Sequence, residues 1–307
     1  ITHADIANAI EAAKAIPIEK DQQILHVLPQ YFVIDSRDRV HDPLGMHGIR
    51  LEVQAHIIKG AIASVQNLVT CCQMAGVTVA DIILEQLASA AAVLCDDERE
   101  LGVAMLDIGG GTSDLALYQH NAIRHTMVLA VAGNHFTNDI AVGLRVSRDT
   151  AERIKKEYGL ACMDLFEKED FFEVNQVDGA HQEIMQTSQL VAVIQPRATE
   201  LLMLVKKEIS RLRLEHYMPM GLVLTGGGSL LRGMPVLAEH IFSVPVRIGQ
   251  PRVEFGLPPS LHSPLYATGY GILMHVLRQK QQRMQEIQGS LSQRVVDRMK
   301  SWVLDFF

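Results

Sequence analysis

A chain of 307 residues has the length of about two average domains, and its 48% hydrophobic and 21% charged residues exclude intrinsic disorder over most of that length. With 28 Lys and Arg against 35 Asp and Glu the formal charge is −7, and without a dense basic tract no nucleic-acid partner is expected. Cys71, Cys72, Cys95 and Cys162 form no CxxC spacing and no apolar run reaches the roughly 18 residues of a spanning helix, so a disulfide framework, a zinc ribbon and a membrane-spanning protein are all set aside.

The chain opens at Ile1 inside a periodic segment without an initiator Met, which points to further residues upstream. Residues 3–15 place Ile6 and Ile10 on one face, with Pro17 beyond, and predict a helix. Strands are predicted at 24–35 and 49–58, separated by a stretch carrying Pro43, Gly45 and Gly48. Ile58, Ile62, Val65, Val69 and Cys72 recur at helical spacing, so a helix over 57–75 is expected, closed by Gly76. On it Cys71 and Cys72 point to different faces and read as inert core residues.

A second apolar helix, 81–95, and a charged turn, 96–100, lead into the strand LGVAMLDI. Strands follow at 114–118 and 122–133, then helices at 135–144 and 148–159. Residues 160–185 are mixed and acidic and read as short strands and loops. A long helical pattern covers 189–214, with Pro196 either kinking it or starting its second part. Next come a strand at 222–224, a glycine turn and a helix. A small-residue helix at 263–277 and a glutamine-rich linker at 279–290 precede a last segment of different character. The alternation predicts an α/β chain with a partly antiparallel sheet.

The sharpest motif is LDIGGGTSD (106–114), in which an apolar strand meets Asp107, Gly109, Gly110, Gly111 and Thr112 and returns at once as a strand. A Walker A loop and a dinucleotide GxGxxG both open a helix, so neither is present. Glycines let successive N–H groups approach phosphate oxygens, and Asp107 stands where a Mg²⁺ ion could be held directly or through water. A bare glycine-rich hairpin turn is the alternative. LTGGGSLLRG (224–233) follows 117 positions later, counted from Gly109 to Gly226. There a strand meets Gly226, Gly227 and Gly228 and then a helix, which suits close approach of a flat nucleoside beside a helix dipole. Packing alone would also give such a junction.

Together these motifs resemble the actin-like ATPase superfamily and, within it, the FtsA family of bacterial division proteins. LDIGGGTSD is similar to that family's second phosphate hairpin, LTGGGSLLRG to its adenosine loop and SPLYATGYGIL to its second connecting helix. The likeness covers nearly the whole chain and is weakest at 160–188. It implies an actin-like (ribonuclease H-like) ATPase fold, incomplete at the N-terminus because the family's first phosphate hairpin, of the DxGT type, has no counterpart here. With one of two phosphate clamps, the chain alone is expected to bind ATP poorly.

The implied organisation is an FtsA-type inserted subdomain at 1–80, a return helix of the first actin-like domain at 81–102 and a second actin-like domain at 103–260. A connecting helix at 261–278, a linker at 279–290 and an amphipathic helix at 291–307 complete it. The resemblance implies ATP and Mg²⁺ as cofactors, Gly133 near the nucleotide, and Glu152 and Lys155 flanking the adenosine, although both would also suit a solvated helix face. It implies that Arg197, in QPRATELL, receives the acidic C-terminal tail of FtsZ.

The last segment can be read by angle. At about 100° per residue Leu291, Val295, Val296, Met299, Trp302, Val303, Phe306 and Phe307 share an arc of about 160°, with Arg294, Asp297, Arg298, Lys300 and Asp305 outside it. The polar linker and the chain's one Trp beside two phenylalanines favour an interfacial anchor over a helix docked on its own core. In FtsA this position is the membrane-targeting helix, so the implied location is the cytoplasmic face of the cell membrane at the division septum. Three basic and two acidic residues leave the segment at +1, so apolar insertion should dominate over attraction to anionic lipid.

The expected role is thus an ATP-binding, self-associating protein that anchors FtsZ filaments to the membrane and takes other divisome partners. ATP serves mainly as a conformational ligand, and hydrolysis should be slow because no residue can be named to orient the attacking water. Two other readings stay open: an actin-fold sugar or acyl kinase, which needs a carboxylate facing a second substrate, and a PilM-like membrane-assembly scaffold. Thirteen histidines include no HExxH.

Overall fold

The computed structural model describes residues 1–36, 38–165, 169–175, 182–252 and 258–280. The amphipathic segment 291–307 and most of the linker before it lie outside these residues. In chain order the elements are α1 (His3–Ala13), β1 (Gln22–Ile34), β2 (Asp38–Val40), β3 (Leu51–Ala61), α2 (Ile62–Met74), α3 (Glu85–Val93), α4 (Asp96–Leu101), β4 (Val103–Ile108), β5 (Ser113–Gln119), β6 (Ala122–Leu129), α5 (Gly133–Gly143) and α6 (Arg148–Tyr158). They continue with β7 (Phe171–Asn175), β8 (Gln182–Gln186), α7 (Thr187–Arg211), β9 (Leu222–Thr225), α8 (Met234–Phe242) and β10 (Val246–Ile248), and end in a helix across 267–280, here α9.

A five-stranded sheet in the order β10-β9-β4-β5-β6 forms the centre. β9 runs parallel to both β10 and β4, whereas β4, β5 and β6 are successive antiparallel neighbours. Every residue of β4 is buried, as an unbroken apolar run covered on both faces requires. Alternation then divides its side chains. Leu106 and Ile108 enter the core built with Phe136 of α5 and Ile194 and Leu201 of α7. Val103 and Met105 enter a second core with Ala90 and Val93 of α3 and Ala267 of α9. The same parity sends Asp107 to the α3 side. A Cβ on Gly271 would lie 1.8 Å from the Ala88 carbonyl oxygen, so α9 and α3 touch backbone to backbone, which explains the small residues of ATGYG.

A smaller antiparallel sheet, β2-β1-β3, abuts the β6 edge, where Gln30 Nε2 donates to the Ile123 carbonyl at 2.7 Å and His56 Nε2 lies 3.0 Å from Thr126 Oγ1. In the acidic stretch after α6, β7 and β8 pair antiparallel, as short strands were expected there, and Phe172 stacks on Tyr158 with ring centroids 4.8 Å apart.

Several local expectations are corrected. The charged turn at 96–100 is helix α4, because Asp96, Asp97 and Glu98 occupy its first turn, where negative charge complements the helix dipole, and Glu98 accepts the Cys95 N–H at 2.9 Å. Residues 57–61 continue β3, paired with β1, so the helical spacing that begins at Ile58 crosses a strand boundary. Cys71 is exposed and Cys72 half-buried, not core, since α2 buries no residue. Pro196 sits inside one continuous α7. Helix also runs through 279 and 280, past the expected start of the linker.

Candidate functional site

Where β4 and β9 end side by side, with Asp107 in register with Thr225, a cleft of about 620 Å³ opens. The carboxyl ends of parallel strands are the usual place for a ligand crevice. Nine of the eleven residues expected to hold a nucleotide line it: Asp107, Gly109, Gly110, Gly133, Glu152, Lys155, Gly226, Gly227 and Gly228. Gly111 and Thr112 do not. Gly111 stands in open space, and the Thr112 side chain hydrogen-bonds Asp114.

The first glycine loop is a tight hairpin in which the Gly109 N–H donates to the Thr112 carbonyl at 2.9 Å. Its outer carbonyls, those of Gly109 and Gly110, accept the N–H groups of Gly133 at 2.9 Å and Asn134 at 2.8 Å, so the start of α5 is fastened to the hairpin. The second glycine loop lies directly on the end of β4. Gly226 has φ +78°, and a Cβ there would meet Asp107 Oδ1 at 2.2 Å and the Ile108 carbonyl at 2.6 Å. The chain then makes a 3₁₀ turn at Gly227–Leu230, and α8 begins only at Met234 after Gly233 at φ +80°. The helix dipole expected against Gly226–Gly228 is therefore displaced by one short turn.

Asp107 is 2% exposed and accepts hydrogen bonds from Ser89 Oγ of α3 at 2.5 Å and Thr268 Oγ1 of α9 at 3.2 Å. Burial pushes its pKa up. Asp114 accepts from Gln86 Nε2 at 2.8 Å, and burial raises it as well. Across the cleft Lys155 Nζ donates to Glu152 Oε2 at 2.7 Å, to Thr137 Oγ1 at 3.0 Å and to the Gly133 carbonyl at 3.1 Å. Burial works to raise the Glu152 carboxyl, but hydrogen bonds from Lys155 and Thr137 win and hold it at about 2. The cleft thus sets an ammonium and a fixed carboxylate on one wall, a buried carboxylate and glycine backbone on the floor, and apolar Leu231, Pro264 and Leu265 on a third side. That combination could take a flat polar ring, a sugar and phosphates.

Sequence reasoning missed Glu85 and Thr268. A signal for the first was present: Gln86 and Ser89 put polar groups three apart on an otherwise alanine-rich helix. Glu85 lines the mouth of the cleft. Burial first, then the charges of Asp114 and Asp107, push its pKa up to about 7. A raised folded-state value means that Glu85 favours the fold fully below its unfolded pKa near 4.5 and loses that contribution as pH rises through about 7. Water reaches this carboxyl, so screening leaves roughly 1 kcal/mol. Glu85→Gln is expected to flatten that part of the melting temperature's decline between pH 5 and 8, measured by calorimetry. An unchanged profile would show that Glu85 is not the titrating group.

Arg197 does not reach the cleft. On α7 it pairs with Asp139 of α5, Nε to Oδ2 at 2.7 Å and Nη2 to Oδ1 at 3.2 Å, and also with Glu200.

A central sheet with two glycine loops meeting over parallel strand ends is the architecture of actin-like proteins, and solved structures agree. MreB 5 of Spiroplasma citri bound to AMPPNP overlays with a TM-score of 0.61 at 21% identity, covering 74% of this chain and 68% of that one. MreB5 bound to ADP gives 0.58 at 22%, covering 70% and 65%. The PilM–PilN type IV pilus biogenesis complex gives 0.60 at 20%, covering 87% and 70%. The chain has the actin-like fold. Residues 104–271 match the family profile described as Cell division protein FtsA, and residues 1–59 match that of the SHS2 domain inserted in FTSA. Cell division protein FtsA of Pseudomonas aeruginosa is 42% identical over 99% of this chain and 74% of its own length. Those of Neisseria meningitidis and Escherichia coli K12 are 38% and 35% identical over 100% and 99% of this chain, and 76% and 74% of their own lengths. The chain belongs to the FtsA family of cell division proteins.

Proposed function

We propose that this chain acts in cell division as a nucleotide-dependent membrane tether: it binds ATP with Mg²⁺ in the cleft, self-associates, and links FtsZ filaments to the cytoplasmic face of the membrane through residues 291–307. The observation that carries the nucleotide reading is the meeting of the two glycine loops, 117 positions apart in sequence, over one carboxylate, Asp107. Two relatives of the fold carry ADP and AMPPNP, which supports it. Gly110 would present backbone to phosphate, and Lys155 would add positive charge. Glu152, held ionised, would accept ribose hydroxyls, and Leu231 and Leu265 would cover the base. Magnesium would neutralise phosphate charge beside Asp107. Glu85 is the carboxyl available to orient a water, and its place at an open mouth suits slow turnover.

The subdomain limits at 80, 103, 260 and 278 belong to this proposal, as do the FtsZ-tail role of Arg197 and further divisome partners. An acidic tail would have to displace Asp139 or Glu200 from Arg197. Among the described residues no helix is long and apolar enough to cross a membrane; the attachment proposed is through the terminal segment.

Titration of a fluorescent ATP analogue with and without Mg²⁺ tests the site. Asp107→Asn is expected to remove the magnesium dependence and weaken binding by about tenfold or more, because a charge-assisted contact is lost. The melting temperature should hold or rise, since the buried carboxylate is costly when ionised and the Ser89 and Thr268 hydroxyls can turn to suit an amide. Magnesium-dependent binding that survives in Asp107→Asn would overturn the assignment.

A further inference from the structure

A second pocket, of about 450 Å³, lies where the small sheet meets the β5–β6 turn of the central sheet. Among the described residues no acidic side chain lines it, although the whole chain carries −7. Its basic walls are Arg39 and His41, on and just after β2, and His120 and Arg124 from the β5–β6 turn and β6. Several other arginines, Arg50, Arg153, Arg197, Arg211 and Arg247, pair with a carboxylate. Arg39 and Arg124 instead lie against aromatic rings, 4.9 Å from the Tyr31 centroid and 5.9 Å from that of Tyr217. The His41 and His120 rings stand 5.5 Å apart, and His120 Nδ1 lies 3.3 Å from Oε1 of Glu100, which stands outside the pocket lining. The Arg124 Nε–H is buried and has no acceptor among the described residues. A buried charged donor left unmet is costly, and such a group calls for an ion or ligand.

We propose that this pocket binds a compact multivalent anion, a small molecule bearing a phosphate or diphosphate group. Forked guanidinium donors from two elements lining one pocket fit phosphate oxygens. The volume suits a small molecule. An arginine already lies over one face of each tyrosine, so the aromatic walls present cationic groups to the pocket and favour an anionic occupant. An anion joining Arg39 to Arg124 would tie the small sheet to the central one and fix the angle between them, a link independent of the nucleotide cleft.

The test is calorimetric titration of the full chain with inorganic pyrophosphate, in wild type, Arg39→Gln, the Arg39→Gln/Arg124→Gln pair and Lys155→Met. Saturable binding should persist in Lys155→Met, weaken about tenfold in Arg39→Gln and fall roughly a hundredfold or more in the pair. Arg39 is exposed, so its single variant reports on binding even where the pair proves unstable by melting. Absence of binding in wild type up to millimolar pyrophosphate, affinity unchanged in Arg39→Gln, or loss of binding in Lys155→Met would each overturn the proposal. The last result would place the anion in the nucleotide cleft.

Discussion

Gly226→Ala is expected to abolish ATP binding and to lower the melting temperature by roughly 6–12 °C, the change that about 3 kcal/mol produces in a chain of this size. Two costs combine. The backbone at Gly226 has φ +78° and ψ 167°, a region essentially reserved for glycine, where a side chain costs about 1–3 kcal/mol. The added methyl would also lie 2.2 Å from Asp107 Oδ1 and 2.6 Å from the Ile108 carbonyl, and neither can yield cheaply. Asp107 is held by Ser89 and Thr268, and Ile108 ends the central strand. Whichever gives, the floor of the cleft shifts where phosphate and magnesium would sit. Gly111→Ala is the matched control, since a Cβ there meets nothing within 4 Å, and its melting temperature should stay within about 1 °C of wild type, as for an open surface site. Equal losses in the two variants would mean that the second glycine loop has no special place in the site.

Removal of residues 291–307 is expected to release the protein from lipid vesicles while leaving ATP affinity unchanged. Leu291, Val295, Met299, Trp302, Val303, Phe306 and Phe307 gather on one side of a helix of this sequence, and the segment carries only +1, so its binding should depend weakly on salt. Each large side chain transferred from water contributes on the order of 1.5–3 kcal/mol. Replacing Trp302 and Phe306 by glutamate should therefore lower partition by at least about a hundredfold, converting that loss at 1.4 kcal/mol per decade. A single short amphipathic helix binds reversibly, and several displayed along an assembly bind with avidity of about 10²–10⁴. Pelleting should accordingly rise steeply with protein concentration. Vesicle flotation at two salt concentrations and over a range of protein concentrations checks both statements, and binding that collapses in high salt would mean that charge, not apolar insertion, holds the segment.

How legible the fold was depended on the range of the contacts involved. β4 was readable because a short apolar run that ends in glycines suits a covered strand, and the second glycine loop was readable because a side chain at Gly226 or Gly228 would collide with the end of β4. Alternation along β4 could even have told which side Asp107 takes. What it meets there, Ser89 and Thr268, comes from helices 18 and 161 positions away, and no local pattern encodes that. Glu85 was hinted at by the polar Gln86 and Ser89 beside it, but its displaced pKa comes from burial and then from the charges of Asp114 and Asp107, which only the folded chain brings about. The turn at 96–100 failed differently, because acidic residues that look like a loop also stabilise the first turn of a short helix. Cys71 and Cys72 were misplaced because amphipathic spacing shows that a face is apolar and does not show what covers it. The pairing of Arg197 with Asp139 was likewise invisible, since it depends on how α5 and α7 pack.

The most direct test of the tether is co-sedimentation of the protein with vesicles in the presence of ATP, Mg²⁺ and a peptide of the FtsZ C-terminal tail. The peptide should pellet with the protein, both should stay in the supernatant when residues 291–307 are removed, and Arg197→Glu should release the peptide alone. A protein that stays in solution under every condition, or one that pellets equally well without its last seventeen residues, would contradict the tether.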